Sequence, residues 1–594
     1  MTTHPPTPAI VTQSAVRRLP RLALWLFCLA YVLPGFIGRD PWRSQDAAAY
    51  GMMRELATGA SAWWPLQWLG QSPDIPALIP YWLGALSIRL APSWVAADFA
   101  ARVPFALLLA LTLLATWYAV YYLARRDTAQ PVSFAFGGEA QPTDYARALA
   151  DGGLLAMIAM LGLAQLSHET TAYSAQLAFT ALLFFAYAAS PYRPLLAAIA
   201  AVVASLGLAL SGVPAFGLAL ACAGALARVA TLTMGLPKNT ENSAVALYWA
   251  VYFAALGGAA AYLAVQLGLW HAQPGTLPAG WADWSAWGKL MLWFTWPAWP
   301  MALVGLWKWR AWWRHFHIAL PLALAAVIVV ATLIAPRPDR TLLLAAPTLA
   351  CLAAFALPTL QRSIAALIDW FTLLFFSGCG LAIWVIWIAM QTGVPAQPAA
   401  NVRRLVPGFE ASFQWLPFIA ALAATVAWGW LVAWRAGRHR DALWKSLVLP
   451  AGGAAMSWLL LMTLWMPLLN FVRSDLALAR QVASALDSSS TSAKGCVATY
   501  GLSQAETATL AHHGGWVLLP VQTSTANTSV GQCPWLLVGA RAQAAFASTP
   551  QAAQWQQFSA ARRRSSDTDD LLVYQRAASA PPSAAKPIAP AQRP

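Results

Sequence analysis

Apolar residues run through this chain in long blocks separated by short polar breaks, and those at 21–38, 100–124, 149–167, 318–335 and 446–469 are almost free of charge. Each holds about 18–25 residues, the length a helix needs to cross about 30 Å of hydrocarbon. Blocks of similar character stand at 171–189, 194–210, 214–235, 245–267, 287–306, 341–358, 363–390 and 413–434. The pattern predicts a polytopic α-helical membrane protein with about 13 transmembrane helices. No small-residue cleavage site follows the first block, which is therefore read as a retained anchor.

Three stretches depart from this pattern. Residues 39–99 form a long outer loop with helix-like pieces near 42–58 and 77–92, the second apolar enough to lie in the membrane interface. Residues 127–147 are polar and without a clear pattern. Beyond 470, helical pieces (474–487, 503–512, 541–558) alternate with the apolar runs Cys496–Leu502, Trp516–Val521, Trp535–Gly539 and Leu571–Tyr574. That alternation predicts a small α/β layer. The expected division is an N-terminal tail at 1–20, a transmembrane domain at 21–470, a soluble domain at 471–576 and a disordered Ala/Pro-rich tail at 577–594.

Composition agrees with the pattern. Of 594 residues, 59% are hydrophobic and 10% charged, against about 25% charged in soluble domains. The net charge of +15 would suit nucleic acid, but its placement argues otherwise. Arg17, Arg18 and Arg21 precede the first block, and Arg125 and Arg126 follow the second. Lys308, Arg310 and Arg314 share one loop; Arg435, Arg438, Arg440 and Lys445 share another. With the N-terminus inside and an odd number of crossings, all of them face the cytoplasm, where anionic lipids draw them. The expected partners are therefore membrane lipids and no nucleic acid, in a multi-pass protein of a bacterial inner membrane. Loop 39–99 and the domain after 470 then face the periplasm. Cys496 and Cys533 each stand near the start of a predicted strand, and an oxidising compartment favours their pairing.

The outer segment Arg39-Asp40-Pro41-Trp42-Arg43-Ser44-Gln45-Asp46 sets two carboxylates and two arginines beside a membrane face. A carboxylate there can serve as general base while a cation stabilises a leaving phosphate. The same residues equally suit a loop that meets headgroups and caps a helix. Arg337 and Arg340 flank an outer turn against the positive-inside trend, which points to a phosphate or carboxylate partner. His168 and Glu169 fall in a very short outer hairpin, where exposure alone would explain them. A transporter is a weaker reading, because deep ionisable residues are few, Asp369 being the clearest, and no repeat is evident.

Arg39-Asp40-Pro41-Trp42, Gln45-Asp46-Ala47, Pro65, Gly70, Tyr81-Trp82 and Ala85 resemble the first outer loop of the GT-C membrane glycosyltransferase family 39, and the match runs on through Ala101-Arg102-Val103-Pro104. That family includes the protein O-mannosyltransferases and the aminoarabinose transferases of lipid A. Leu166-Ser167-His168-Glu169-Thr170-Thr171, and Arg337-Pro338-Asp339-Arg340 with Leu344 and Pro347, also resemble family segments. The resemblance implies a GT-C fold with a small C-terminal α/β periplasmic domain. It implies a glycosyltransferase moving a sugar from a polyprenyl-phosphate-linked donor to a cell-envelope acceptor: lipid A or lipopolysaccharide, a glycan, or a protein. It casts Asp46 as base and Asp40 as positioning the acceptor or a cation, with Arg337 and Arg340 at the donor phosphate. Asp74, Tyr81, Trp82, His168 and Glu169 would meet acceptor or sugar, and no cofactor is implied beyond an optional divalent cation. Four positions depart from the family pattern. Its Asp-Glu pair falls on Gln45-Asp46, its Glu-Lys on Ile75-Pro76, a later Asp on Gln176 and its Lys-Gly on Ser211-Gly212. Glutamine accepts no proton at neutral pH, so a catalytically inactive membrane subunit of the same fold is the alternative.

The charge asymmetry makes one direct prediction. A topology reporter fused after Arg440 reads cytoplasmic and one fused after Ser488 reads periplasmic; the same side for both contradicts the span count.

Overall fold

The computed structural model describes residues 7–43, 45–69, 72–232, 243–270, 275–436, 442–487, 496–521, 533–562 and 570–577. Ser44, Gly70, Arg438, Arg440, Ser488 and the tail beyond Ala577 lie outside the described residues. The chain forms two compact units. The first comprises Met1–Asp40, Met52–Trp68 and Ser72–Leu469; the second comprises Pro41–Gly51, Leu69–Gln71 and the chain from Asn470 onward.

In the first unit every expected apolar block contains helix. Among the described residues, seven helices are long and apolar enough to cross a membrane: Ala97–Ala124, Ala172–Ala189, Pro214–Leu232, Ser243–Gln266, Arg362–Thr392, Trp415–Arg435 and Lys445–Leu464. Arg21–Val32, Pro194–Leu210, Phe316–Ala331 and Ala346–Thr359 are apolar but shorter. Prolines at the first turns of the helices starting at Pro142, Pro194 and Pro338 fit there because the first N–H groups have no partner within the helix.

Among the interrupted spans, two meet each other. The block at 149–167 is a helix over Pro142–Ala159, so it begins inside the polar stretch 127–147 and stops early, and Leu163–Leu166 forms a separate turn. The block at 287–306 is split into Trp281–Phe294 and Ala298–Lys308, bent by 87°. Pro297 lies in the break, where it offers no N–H and disfavours helical geometry at Trp296. The two interruptions complete each other. Leu161 N–H donates to the Trp296 carbonyl at 3.1 Å and Gly162 N–H to that of Phe294 at 3.0 Å. Backbone groups left unpaired in hydrocarbon cost several kcal/mol each, so irregular chain is tolerated where a second irregular segment meets it. Asp369, the clearest deep charge, forms an ion pair with Arg435.

The N-terminal stretch expected as a tail is docked from Thr7 on. Val132 N–H donates to Ala9 O, Ala140 N–H to Val11 O and Gln13 N–H to Gly138 O, each at 3.0 Å. Arg18 and Gln13 hydrogen-bond Asp144 and hold its carboxyl below the usual range. In the outer loop the helices are Gln45–Thr58 and Ile79–Leu90. Arg89 closes the end of the first by donating to the Leu56 and Ala57 carbonyls at 2.8 and 2.9 Å.

The second unit is built on a five-stranded sheet: β1 (Cys496–Tyr500), β2 (Val517–Pro520), β3 (Trp535–Gly539), β4 (Trp555–Ala561) and β5 (Leu571–Arg576), in the order β2-β1-β3-β5-β4. β1 runs parallel to β2 and β3, whereas β5 is antiparallel to β3 and β4. Helix Leu476–Asp487 lays Leu478, Val482 and Leu486 against Val497, Trp535 and Val573 of the sheet. Helix Gln504–Gly514 opens with a reciprocal Ser503–Glu506 capping box. The helix expected over 541–558 is a correction: α-helix covers only Gln543–Ala547, with 3-10 turns at Ala540–Ala542 and Pro550–Gln554, and Trp555 onward is β4. The Ala- and Gln-rich composition favours helix locally, but pairing with β5, a distant partner, decides the state.

Cys496 and Cys533 are joined as a disulfide, with Cα atoms 5.1 Å apart, tying the start of β1 to the residues just before β3. The bridge closes a sequence separation of 37 residues, worth about 3–4 kcal/mol in the chain-entropy account. Replacing both cysteines by serine is expected to speed hydrogen exchange of the β1 and β3 amides by a corresponding factor. Unchanged exchange would contradict the structural role of the bridge.

Candidate functional site

Four segments of the first unit meet around the hairpin Ser167–Thr171. The hairpin begins where helix Leu163–Leu166 ends and is closed by the start of Ala172–Ala189. Ser174 Oγ donates to the Glu169 carbonyl at 2.6 Å, which fixes the turn from within. His168 and Glu169, expected to be exposed, are 1% and 5% exposed. The reason is tertiary: the His168 ring is enclosed by Tyr31, Phe36 and Trp458, with ring centres 5.4, 5.0 and 4.8 Å away. Gly35 completes the enclosure, since a Cβ there would collide with the imidazole.

Burial depresses the His168 pKa to about 4, and the nearby Arg39 charge pushes the same way. The ring's hydrogen bonds pull the other way: Nδ1 faces the Ala164 carbonyl and Nε2 the Tyr31 carbonyl at 3.0 Å, acceptors that favour a protonated ring, and burial outweighs them. Arg39, itself 1% exposed, donates from Nη1 to the His168 carbonyl at 3.0 Å. The beginning of the first outer loop is thereby bolted to the hairpin.

Glu169 points the other way, into an ion pair with Arg340 that joins positions 171 residues apart. Arg340 is buried on the short helix Pro338–Leu343, and its guanidinium lies 5.3 Å from the Tyr173 ring centre. Arg337, half-buried at the start of the same turn, and Asp339 lie within electrostatic reach of the Tyr173 phenol, as do Arg340 and Glu169. Tyr81 reaches the same phenol from the second outer-loop helix. Its hydroxyl donates to the Ile75 carbonyl at 3.2 Å, and burial raises its pKa, with the charge of exposed Asp74 adding to the effect.

Of the residues the sequence singled out, the structure thus groups His168, Glu169, Arg337, Arg340, Tyr81 and Asp74. Trp82 turns away and donates from Nε1 to the Trp63 carbonyl at 3.0 Å, supporting the loop. Asp40 is half-buried in the first unit. Asp46 belongs to the second unit, 3% exposed in the first turn of Gln45–Thr58, where its Oδ2 accepts from Trp42 N–H at 3.0 Å. Arg39 was noted as one of two arginines in the outer segment but given no role of its own; Tyr173 was not singled out and carried no signal. Among the described residues no group of three His, Cys, Asp or Glu side chains could hold a metal ion.

Three of the four positions where the sequence departs from the family pattern are neighbours within the first unit. Gln176 Nε2 donates to the Ser211 carbonyl at 2.7 Å, and Leu78 N–H donates to the Leu210 carbonyl at 2.7 Å. Gly212, with φ of +85°, has the Pro76 carbonyl 2.9 Å from where a Cβ would stand, so only glycine fits comfortably there.

No protein-family model matches the chain, and no curated protein matches it in sequence. Solved structures do match it in fold. ArnT from Cupriavidus metallidurans bound to undecaprenyl phosphate superposes with a TM-score of 0.59 at 13% identity, covering 95% of this chain and 100% of that one. The apo structure of the same protein gives 0.58 at 13% identity, covering 93% and 98%. The fold is therefore the GT-C type that the sequence resemblance implied, with the small C-terminal sheet domain included.

The depressed His168 pKa sets a pH dependence. The unfolded chain protonates this ring from about pH 6.5 downward, while the folded one resists until about 4. Stability contributed by the neutral ring is full at neutral pH and falls by about 2 kcal/mol by pH 5. Thermal unfolding at pH 7 and pH 5 is expected to show this loss in the wild type and a reduced loss in His168→Gln. Equal slopes in both proteins would contradict it.

Proposed function

We propose that this chain is a membrane glycosyltransferase of a bacterial inner membrane. It moves a sugar from a polyprenyl-phosphate-linked donor to a cell-envelope acceptor on the periplasmic face. The observation that carries the reading is the end-to-end likeness of fold to a protein crystallised with undecaprenyl phosphate, over 95% of this chain. A second support is the pair Arg337 and Arg340 on an outer turn, one half-buried and one braced by Glu169 and Tyr173. Guanidinium groups held in partly desolvated surroundings suit a lipid phosphate.

In this reading an acceptor hydroxyl or amine attacks the anomeric carbon, a carboxylate takes its proton, and the polyprenyl phosphate leaves with the bonding electrons. Asp46 is the base, Asp40 positions the acceptor or a cation, and Arg337 and Arg340 receive the phosphate. Exposed Asp74 and buried Tyr81 border the sugar. His168, closed off from solvent, acts by holding the hairpin that presents Glu169. The neutral contacts among Gln176, Ser211, Gly212 and Pro76 favour a second reading, an inactive subunit of the same fold.

A transfer assay with a panel of lipid-linked sugars separates the two. The wild type is expected to turn over at least one of them, and Asp46→Asn to lose at least about a hundredfold in rate. The amide oxygen can still accept from Trp42 N–H, so the turn is preserved. Turnover of none supports the subunit; full activity in the Asn variant transfers the role of base to Asp40 or Asp74.

A further inference from the structure

The segment Pro41–Gly51, which carries Asp46, belongs to the same compact unit as the chain from Asn470 onward. Several contacts join them. Trp42 Nε1 donates to Asn470 Oδ1 at 2.9 Å, and Arg473 stacks its guanidinium 5.0 Å from the Trp42 ring centre. Arg43 N–H donates to the Arg473 carbonyl at 2.7 Å, and Arg43 Nη2 donates to that of Val472 at 2.5 Å. Arg43 Nε stands 2.6 Å from Asp475 Oδ1, with the Asp475 side chain 2% exposed. Thr509 Oγ1 stands 3.3 Å from the other oxygen of Asp475 and shares its one proton between that oxygen and the Glu506 and Ala505 carbonyls at 3.0 and 3.1 Å.

Asp475 has a left-handed backbone, φ +56°, a conformation that residues with a Cβ rarely adopt. It lies between helix Met466–Arg473 and helix Leu476–Asp487. That conformation aims the carboxylate at two partners at once: Arg43 of the first outer loop and Thr509 of helix Gln504–Gly514. The turn containing Asp46 is in turn tied to Trp42 by its own carboxylate and by Ala47 N–H donating to the Trp42 carbonyl at 2.9 Å. The chain of contacts therefore runs from the sheet domain through Asp475, Arg43 and Trp42 to Asp46.

We infer that Arg43 and Asp475 are positioning residues, through which the C-terminal domain sets the place of Asp46 for transfer. This deepens the glycosyltransferase reading and rests on it. Neither residue need touch substrate. Removing either partner leaves the other's charge unbalanced, Asp475 being the more deeply buried, and releases the turn.

The test uses the full chain in lipid nanodiscs with a lipid-linked sugar that the wild type turns over. In Arg43→Gln and in Asp475→Asn, kcat is expected to fall at least about tenfold while KM for the donor stays within about twofold, as for lost alignment rather than lost binding. The amides of Trp42, Arg43 and Ala47 are expected to exchange at least about tenfold faster. The double variant is expected to be no worse than the worse single one, because both remove one interaction, and Asp475→Glu to recover most of the rate. Unchanged kcat in Asp475→Asn, or lower kcat without faster exchange at those amides, would overturn the inference. Retained binding of undecaprenyl phosphate serves as the control for folding; its loss together with kcat would make Asp475 a merely structural residue and overturn the inference too. A wild type that turns over no sugar sinks the glycosyltransferase reading and the positioning role with it, while the exchange measurement still shows whether the clamp exists.

Discussion

An arginine and a glutamate removed from water together are stable only as a pair, and the ion pair between Arg340 and Glu169 sets the terms for the hairpin end of the first unit. Losing one partner of such a pair costs about 3–5 kcal/mol, so the hairpin that carries Glu169 has to be held in place. It is held by neutral His168 in its aromatic enclosure and by Arg39 on the His168 carbonyl. The same anchoring fixes where the first outer loop departs. Tyr173 beneath Arg340, and Tyr81 beside Tyr173, extend the grouping to the second outer-loop helix.

The helical membrane unit was legible because apolar blocks of spanning length have few other stable states. The interruptions at Leu161–Gly162 and Phe294–Pro297 were not, since each depends on hydrogen bonds to the other. Trp555–Ala561 was misread for a related reason: its residues favour helix, and only the distant β5 makes it a strand. In the site, Arg337 and Arg340 stood out because they oppose the charge rule for outer loops. The burial of His168 and Glu169 was invisible, because nothing in a five-residue hairpin shows that Tyr31, Phe36 and Trp458 close over it. Asp475 gave no sign at all; its left-handed backbone and its partner Arg43 exist only in the folded chain.

The departures from the family pattern gain meaning from their proximity. Gln176, Ser211, Gly212 and Pro76 form one neutral, closely packed neighbourhood.

The central claim is that this pair of arginines receives a polyprenyl phosphate. Its most direct test is binding of undecaprenyl phosphate, measured by native mass spectrometry on the full chain and on Arg337→Ala, whose half-buried position makes loss of fold the smaller risk. Saturable one-to-one binding to the wild type, weakened at least about tenfold in the variant, is the predicted result. No saturable binding, or equal binding by both proteins, would contradict it.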